Sequence, residues 1–327
     1  MKRRTFITTL AASSAAAGFQ ARGPVAESSR KPLKITLLGT GTPAPSLKRQ
    51  SSGYLFEVGQ DLIVMDLGPG ALHRLLESGN RAVDVSRAFF SHLHYDHCLD
   101  YAGLVLQRWD QGADKIPDLD VYGPPPIARM TDLLFGEDGV YGPDIHARIG
   151  HQSSIDVFKA RGGSPPRKRP APRAKEMRPG DIVQGDGWKV TGGRAAHVQP
   201  QLECLAFRLD CDEGSVCYSG DSGKSEEIVE LAKGCDMLIH MCHHYSGTEP
   251  TASFRAAVGN HRDNAVTAKR AGVKTLVLTH FLAQIDQPGV RERIIQEIRQ
   301  DFDGTVIWGE DLMQLTLGVS GLPDIGK

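Results

Sequence analysis

Two strand-rich halves set off by helices, a layered α/β fold, is what this sequence predicts. Three observations carry the prediction. Short apolar or alternating runs of strand length recur early (Leu33–Leu38, Tyr54–Val58, Leu62–Asp66) and late (Trp188–Thr191, Met237–His240, Thr275–Thr279). Between them lie segments with helical periodicity. Several strand-like runs end in side chains able to bind metal: His92 to His97, His197, Asp221 and His280.

Taken in order, Leu33–Leu38 is a strand, and Gly39-Thr40-Gly41-Thr42-Pro43 then turns the chain. Tyr54–Val58 and Leu62–Asp66 form a hairpin around Gly59. Ala71–Glu77 is a short helix, Ala88–Ser91 a short strand entering a histidine-rich loop, and Leu99–Trp109 a helix. Asp120–Gly123 ends a further strand before a proline turn. Residues 161–180 carry Arg161, Arg167, Lys168, Arg169, Arg173, Lys175 and Arg178 among glycines and prolines, and are expected to form a loop or flexible excursion. Trp188–Thr191 resumes strand character, and Leu202–Leu209 pairs with Ser215–Ser219 as a hairpin. Ser225–Lys233, Asn264–Ala271 and Val290–Arg299 are helices. Met237–His240, Thr275–Thr279, Val306–Trp308 and Met313–Thr316 are strands.

The chain has 327 residues, 40% apolar and 24% charged, enough material for a substantial core. Its formal net charge of −1 provides no global positive field to gather nucleic acid or anionic lipid. The beginning differs from the rest. Lys2-Arg3-Arg4-Thr5-Phe6-Ile7 opens an apolar, Ala/Ser-rich run that reaches Phe19. A basic start, a short apolar stretch and small residues read as a secretion signal. Arg3-Arg4 followed by Phe6 resembles the twin-arginine signal, which implies the twin-arginine export machinery as a partner and a periplasmic or secreted location. The run is too short and polar for a membrane span, so no stable membrane anchor is expected. Residues 1–32 are therefore read as signal peptide plus a short mature tail, with cleavage after Ala17 or Ala21, and 33–327 as the folded domain. Cys98, Cys204, Cys211, Cys217, Cys235 and Cys242 form no Cys-x-x-Cys pair and read mostly as small buried apolar residues.

Gly39-Thr40-Gly41-Thr42-Pro43-Ala44 formally fits a dinucleotide-binding pattern. That pattern works only where it opens a helix, and Pro43-Ala44-Pro45-Ser46 stands there instead. The glycines are expected to permit a tight turn near the active site.

The informative segment is Ser91-His92-Leu93-His94-Tyr95-Asp96-His97. In extended chain, residues two apart face the same way, so His92, His94 and Asp96 share a side. A helical bend at Asp96 lets His97 join them. Imidazoles with a carboxylate suit zinc, and crowding them without a cation would be costly.

His-x-His-x-Asp-His resembles the signature of the metallo-β-lactamase superfamily. The resemblance implies an αβ/βα sandwich of two mixed β-sheets flanked by helices, and a hydrolase domain over 33–327. It also implies two zinc ions per chain, with manganese or iron(II) as substitutes. His92, His94 and His197 would hold one ion; Asp96, His97 and His280 would hold the other; Asp221 would bridge them. More narrowly, Leu37–Pro43, Asp66-Leu67-Gly68-Pro69-Gly70 and Ala271–Phe281 resemble the ribonuclease Z and arylsulfatase branch over about residues 33–317. That branch implies a homodimer. It implies that Asp66 orients a ligand histidine, and that His261, in Gly259-Asn260-His261-Arg262, assists the leaving group. Arg262-Asp263-Asn264 departs from the branch's usual Ser-Thr-Ala. Of His240, His243 and His244, one is expected to shape the pocket, to stand behind the ligands or to lie at the surface.

Two ions of this kind lower the pKa of a bridging water and clamp a substrate oxygen. Asp96 would orient the resulting hydroxide, and His261 would give a proton to the departing oxygen. Two features argue against tRNA processing. The leader sends the protein away from tRNA, and only about two dozen residues separate His197 from Asp221, where that branch carries a tRNA-gripping arm. The basic 161–180 segment lacks aromatic residues for stacking on bases. The first expectation is thus an exported hydrolase of a small-molecule ester, of aryl sulfate or phosphodiester type, with nucleic acid disfavoured. Alternatives are a hydrolytic dehalogenase of an activated aromatic, a lactonase, a ribonuclease Z-type tRNA 3′-processing endonuclease, and a non-enzymatic metal-bound binding protein.

Overall fold

The computed structural model describes residues 32–318 and 324–326. The leader read from Arg3-Arg4 lies outside them. Strands β1 (Leu33–Gly39), β2 (Gly53–Val58), β3 (Asp61–Leu67), β4 (Val85–Phe89), β5 (Asp120–Gly123) and β6 (Arg173–Glu176) belong to one sheet. Strands β7 (Ile182–Gly185), β8 (Trp188–Arg194), β9 (Leu205–Cys211), β10 (Gly214–Tyr218), β11 (Met237–Met241), β12 (Thr275–Thr279) and β13 (Thr305–Trp308) form the other. β14 (Gln314–Leu317) and β15 (Asp324–Gly326) return to the edge of the first, giving the order β15-β14-β1-β2-β3-β4-β5-β6 opposite β13-β12-β11-β10-β9-β8-β7. Both sheets are mixed. β3 to β6 run parallel, as do β10 to β13, and the remaining pairs are antiparallel.

The alternation of side chains along each strand makes the layers. On β12, Val277 joins a core that also contains Ile35, Phe56, Met65, Phe89, Phe207 and Ile239, drawn from both sheets. Its neighbours Leu276 and Leu278 face the other way, onto a cluster with Ile228, Ala265, Ala268 and Ile294 from the helices Glu226–Leu231, His261–Ala271 and Val290–Ile298. A third cluster packs Leu72, Leu75, Tyr101, Leu104 and Ile127 against the outer face of the first sheet. The two-sheet αβ/βα sandwich is the predicted one. The six cysteines are free, and all but the half-buried Cys211 are buried.

Segment 161–180 corrects the sequence expectation. Arg173–Glu176 is an edge strand paired parallel to β5, and Arg161, Arg167 and Arg169 before it are built into the structure. Arg167 is buried, with its guanidinium 3.8 Å from the centroid of the Trp109 ring and 3.1 Å from Asp110 Oδ1. Arg169 donates to the carbonyls of Phe135 and Gly136, Arg161 to Asp110, and Arg173 to Asp120. The Gly/Pro content marked irregular backbone correctly. Partners distant in sequence, Trp109, Asp110 and Asp120, are what order it. Helices Ile127–Phe135, Gly142–Gly150, Gln152–Ala160 and Ala252–Ala257, with strand β7, are further elements that the sequence reading left unassigned.

Candidate metal centre

The loops behind β4, β8, β10 and β12 converge at one edge of the sandwich and bring His92 to His97, His197, Asp221 and His280 together. His94 ends the extended run, and the short helix Tyr95–Cys98 turns Asp96 and His97 inward. This is the bend that the ligand spacing demanded. Close backbone approach makes the bend fit: a Cβ on Gly68 would lie 1.9 Å from the Asp96 carbonyl oxygen. The Gly39–Pro43 turn also lies here, as expected, with the Thr40 carbonyl accepting the amide of Phe281 beside His280.

Asp66 organises the first candidate ligands. The β2–β3 register jumps from Tyr54↔Met65 to Gly53↔Leu67, so Asp66 is the extra residue of a bulge, held at φ 57. Bulges re-aim side chains next to functional sites. The buried Asp66 carboxylate accepts the Ser91 amide (2.7 Å), the Ser91 hydroxyl (2.6 Å), the Tyr218 hydroxyl (2.5 Å) and His97 Nδ1 (2.7 Å). With the Ser91 proton given to Asp66, Ser91 Oγ accepts from His92 Nδ1 at 2.9 Å. His197 Nδ1 donates to the Ala257 carbonyl at 2.7 Å. All three imidazoles are thereby fixed as tautomers whose Nε2 carries a lone pair.

Two of those lone pairs, on His97 and His197, are buried and meet no protein donor. His92 Nε2 lies 2.9 Å from His94 Nδ1. Asp221 stands between the two halves, 3.4 Å from His97 Nε2, 3.4 Å from His280 Nε2 and 3.8 Å from His197 Nε2. Asp96 lies 3.4 Å from His280 Nε2. His92–His94–His197 and Asp96–His97–His280 each offer ligand atoms lying within 4.8 Å of one another. A third such group, Asp66–His92–His97, includes a carboxylate already saturated by donors. Burial lowers the pKa of His92 and His94, favouring the neutral ligand form. Burial opposes ionisation of Asp221, but the neighbouring imidazoles of His280 and His97 outweigh it and hold its carboxyl well below the usual range. Buried imidazole lone pairs beside ionised carboxylates fit divalent cations, zinc above all.

The remaining histidines take different places. His243 Nδ1 touches His280 Nδ1 at 3.3 Å, and burial pushes its pKa down to about 3. His240 is buried on β11, and burial takes it to about 4. Both nitrogens of His261 are engaged: Nδ1 accepts the Ser246 amide at 3.3 Å, and Nε2 donates to Glu297 at 2.9 Å. Glu297 also accepts from the Tyr245 hydroxyl (2.5 Å) and from Arg262 (2.8 Å) and Arg293 (3.0 Å). In this arrangement the His261 proton faces Glu297. Glu297 was not identified from the sequence, because an i,i+4 pair with Arg293 on a helix surface reads as an ordinary solvated one.

Residues 62–281 match the Beta-lactamase superfamily domain, and the chain belongs to this superfamily. It is a metal-dependent hydrolase of the metallo-β-lactamase fold. The chain is 29% identical over 290 residues to the ribonuclease Z of Mycobacterium bovis (strain BCG / Pasteur 1173P2), covering 86% of this chain and 96% of that one. Among solved structures it resembles the metallo-beta-lactamase fold protein YhfI from Bacillus subtilis, with TM-score 0.67, 20% identity, and 88% and 100% of the two chains covered. It also resembles the short form of human tRNase Z, with TM-score 0.60, 20% identity, and 86% and 98% covered.

Proposed function

We propose that the chain is a phosphodiesterase working with two zinc ions, in the manner suggested by its ribonuclease Z relatives. The observation that carries the reading is the position of Asp221, within 3.8 Å of His197 in one ligand set and 3.4 Å of His97 and His280 in the other. His92, His94 and His197 would hold one ion, Asp96, His97 and His280 the second, with Asp221 shared. Bound zinc supplies a nucleophile at neutral pH and a Lewis acid for the attacked phosphorus. The chain does the rest. Asp66 and Ser91 hold His92 and His97 in the ligating tautomer. Asp96, buried beside His280, accepts a hydrogen bond from the attacking water and aims it.

An aryl sulfate stands level with a phosphodiester on sequence alone; the names of the relatives favour the phosphodiester. RNA is the substrate those names suggest. A small phosphodiester is the second reading, and a specific observation favours it. β9 and β10 pair Cys211 with Gly214 across a tight turn, so no protruding arm extends from that hairpin. Arg161, Arg167 and Arg169 are also spent on the fold. Export by a twin-arginine route fits the second reading better. Purified zinc-loaded protein assayed on bis(p-nitrophenyl) phosphate, precursor tRNA and p-nitrophenyl sulfate separates the cases. Turnover of either phosphodiester supports the proposal, and turnover of the sulfate alone refutes it.

A further inference from the structure

β11 and β12 run parallel and in register, with Met241 beside Thr279. The chain keeps that register just past the strands, where the Cys242 amide donates to the Thr279 carbonyl at 2.7 Å. The His243 amide then donates to the Gly259 carbonyl at 2.9 Å. Gly259 lets the segment settle there: a Cβ on it would lie 2.3 Å from the Met241 carbonyl oxygen. Just past β12, His280 holds φ 61, a left-handed conformation uncommon outside glycine, and the next amide, Phe281, is tied to the Thr40 carbonyl at 3.0 Å. Both backbones are thus fixed. They bring the two imidazoles together, Nδ1 to Nδ1 at 3.3 Å, with ring centroids 5.4 Å apart.

The other nitrogen of His280 faces the carboxylates of the site. Nε2 lies 3.4 Å from Asp96 Oδ2 and 3.4 Å from Asp221 Oδ2. An imidazole that ligates through Nε2 carries its proton on Nδ1, and an acceptor beside Nδ1 fixes that form. Ser91 Oγ, the Asp66 carboxylate and the Ala257 carbonyl are the acceptors for His92, His97 and His197. His280 Nδ1 faces an imidazole nitrogen instead of an oxygen. Two facing imidazole nitrogens make a hydrogen bond only when one of them carries the proton. With the proton on His280, His243 accepts through Nδ1 and carries its own proton on Nε2. His243 is not itself placed as a ligand: among the described residues it belongs to none of the groups whose ligand atoms lie within 4.8 Å of one another.

We propose that His243 is a positioning residue, which holds His280 in its zinc-ligating tautomer by accepting the Nδ1 proton through its own unprotonated Nδ1. The proposal rests on the two-zinc reading of the site. Removing the acceptor should loosen the ion held by Asp96, His97 and His280 and spare the other.

Nitrogen-15 NMR of the zinc-loaded protein, with the histidine rings labelled, reads both tautomers without any substitution. The expected spectrum has His280 protonated on Nδ1 and His243 on Nε2. A proton on His243 Nδ1 overturns the proposal. Competition with a chelator then measures zinc affinity. His243→Leu removes the acceptor and keeps the bulk, and one of the two ions is expected to bind about 10-fold or more weakly, the scale for such partners. His243→Asn offers Oδ1 where Nδ1 stood, and should hold both ions within about 3-fold of the wild type. Unchanged affinity in His243→Leu, or equal weakening in the two variants, overturns the proposal. The wild-type spectrum decides the point where His243→Leu does not fold. Fewer than two ions on the wild type would fail the two-zinc reading, and the proposal with it. Two ions held equally by all three proteins would fail the proposal alone.

Discussion

Asp66 Oδ2 accepts the Nδ1 proton of His97 at 2.7 Å, and through Ser91 the same carboxylate fixes His92. One buried acid thus sets the tautomer of a histidine in each ligand set. Asp66→Asn keeps the shape but places an amide where four donors converge. The expected result is a 10- to 100-fold loss of zinc affinity or activity, the usual scale for such partners, measured by competition with a chelator and by kcat. Unchanged affinity would show that the tautomers are set elsewhere.

Arg167 is held by stacking on Trp109 and by Asp110. Arg167→Ala is expected to lower the unfolding free energy by about 2 kcal/mol while leaving kcat on a small phosphodiester within about 2-fold, since the contacts lie away from the ligands. Denaturant unfolding and steady-state kinetics check it. A variant of wild-type stability with weakened, salt-sensitive RNA binding would instead make the residue a phosphate contact.

The resemblance implies that His261 gives a proton to the leaving group, whereas the structure directs that proton to Glu297 and the other nitrogen to the Ser246 amide. His261 then positions the 245–246 segment. His261→Ala is expected to slow esters of good and poor leaving groups alike, by about 10-fold. A larger loss confined to poor leaving groups would restore the proton-donor role.

Export is tested by fractionating cells that express the wild type and the Arg3→Lys, Arg4→Lys double variant. The expected outcome is loss of extracytoplasmic protein in the variant. Equal export of both would exclude the twin-arginine route and remove one argument for a small substrate.

The site was more legible in the sequence than its surroundings. The spacing of His92, His94, Asp96 and His97 implies an extended run followed by a helical bend, and the helix Tyr95–Cys98 supplies it. Ligand placement follows from local chain geometry, which sequence periodicity records. What escaped depended on long-range partners. Arg161, Arg167 and Arg173 look solvated until Asp110, Trp109 and Asp120 are brought beside them. Glu297 became significant only once the helix Val290–Ile298 was packed beside His261 and Tyr245.

The central claim, two metal ions on two ligand sets sharing Asp221, is tested most directly by elemental analysis of the purified zinc-loaded protein beside His94→Ala. The account predicts about two zinc per wild-type chain and about one in the variant. Equal zinc content in the two proteins, or fewer than two ions in the wild type, would contradict it.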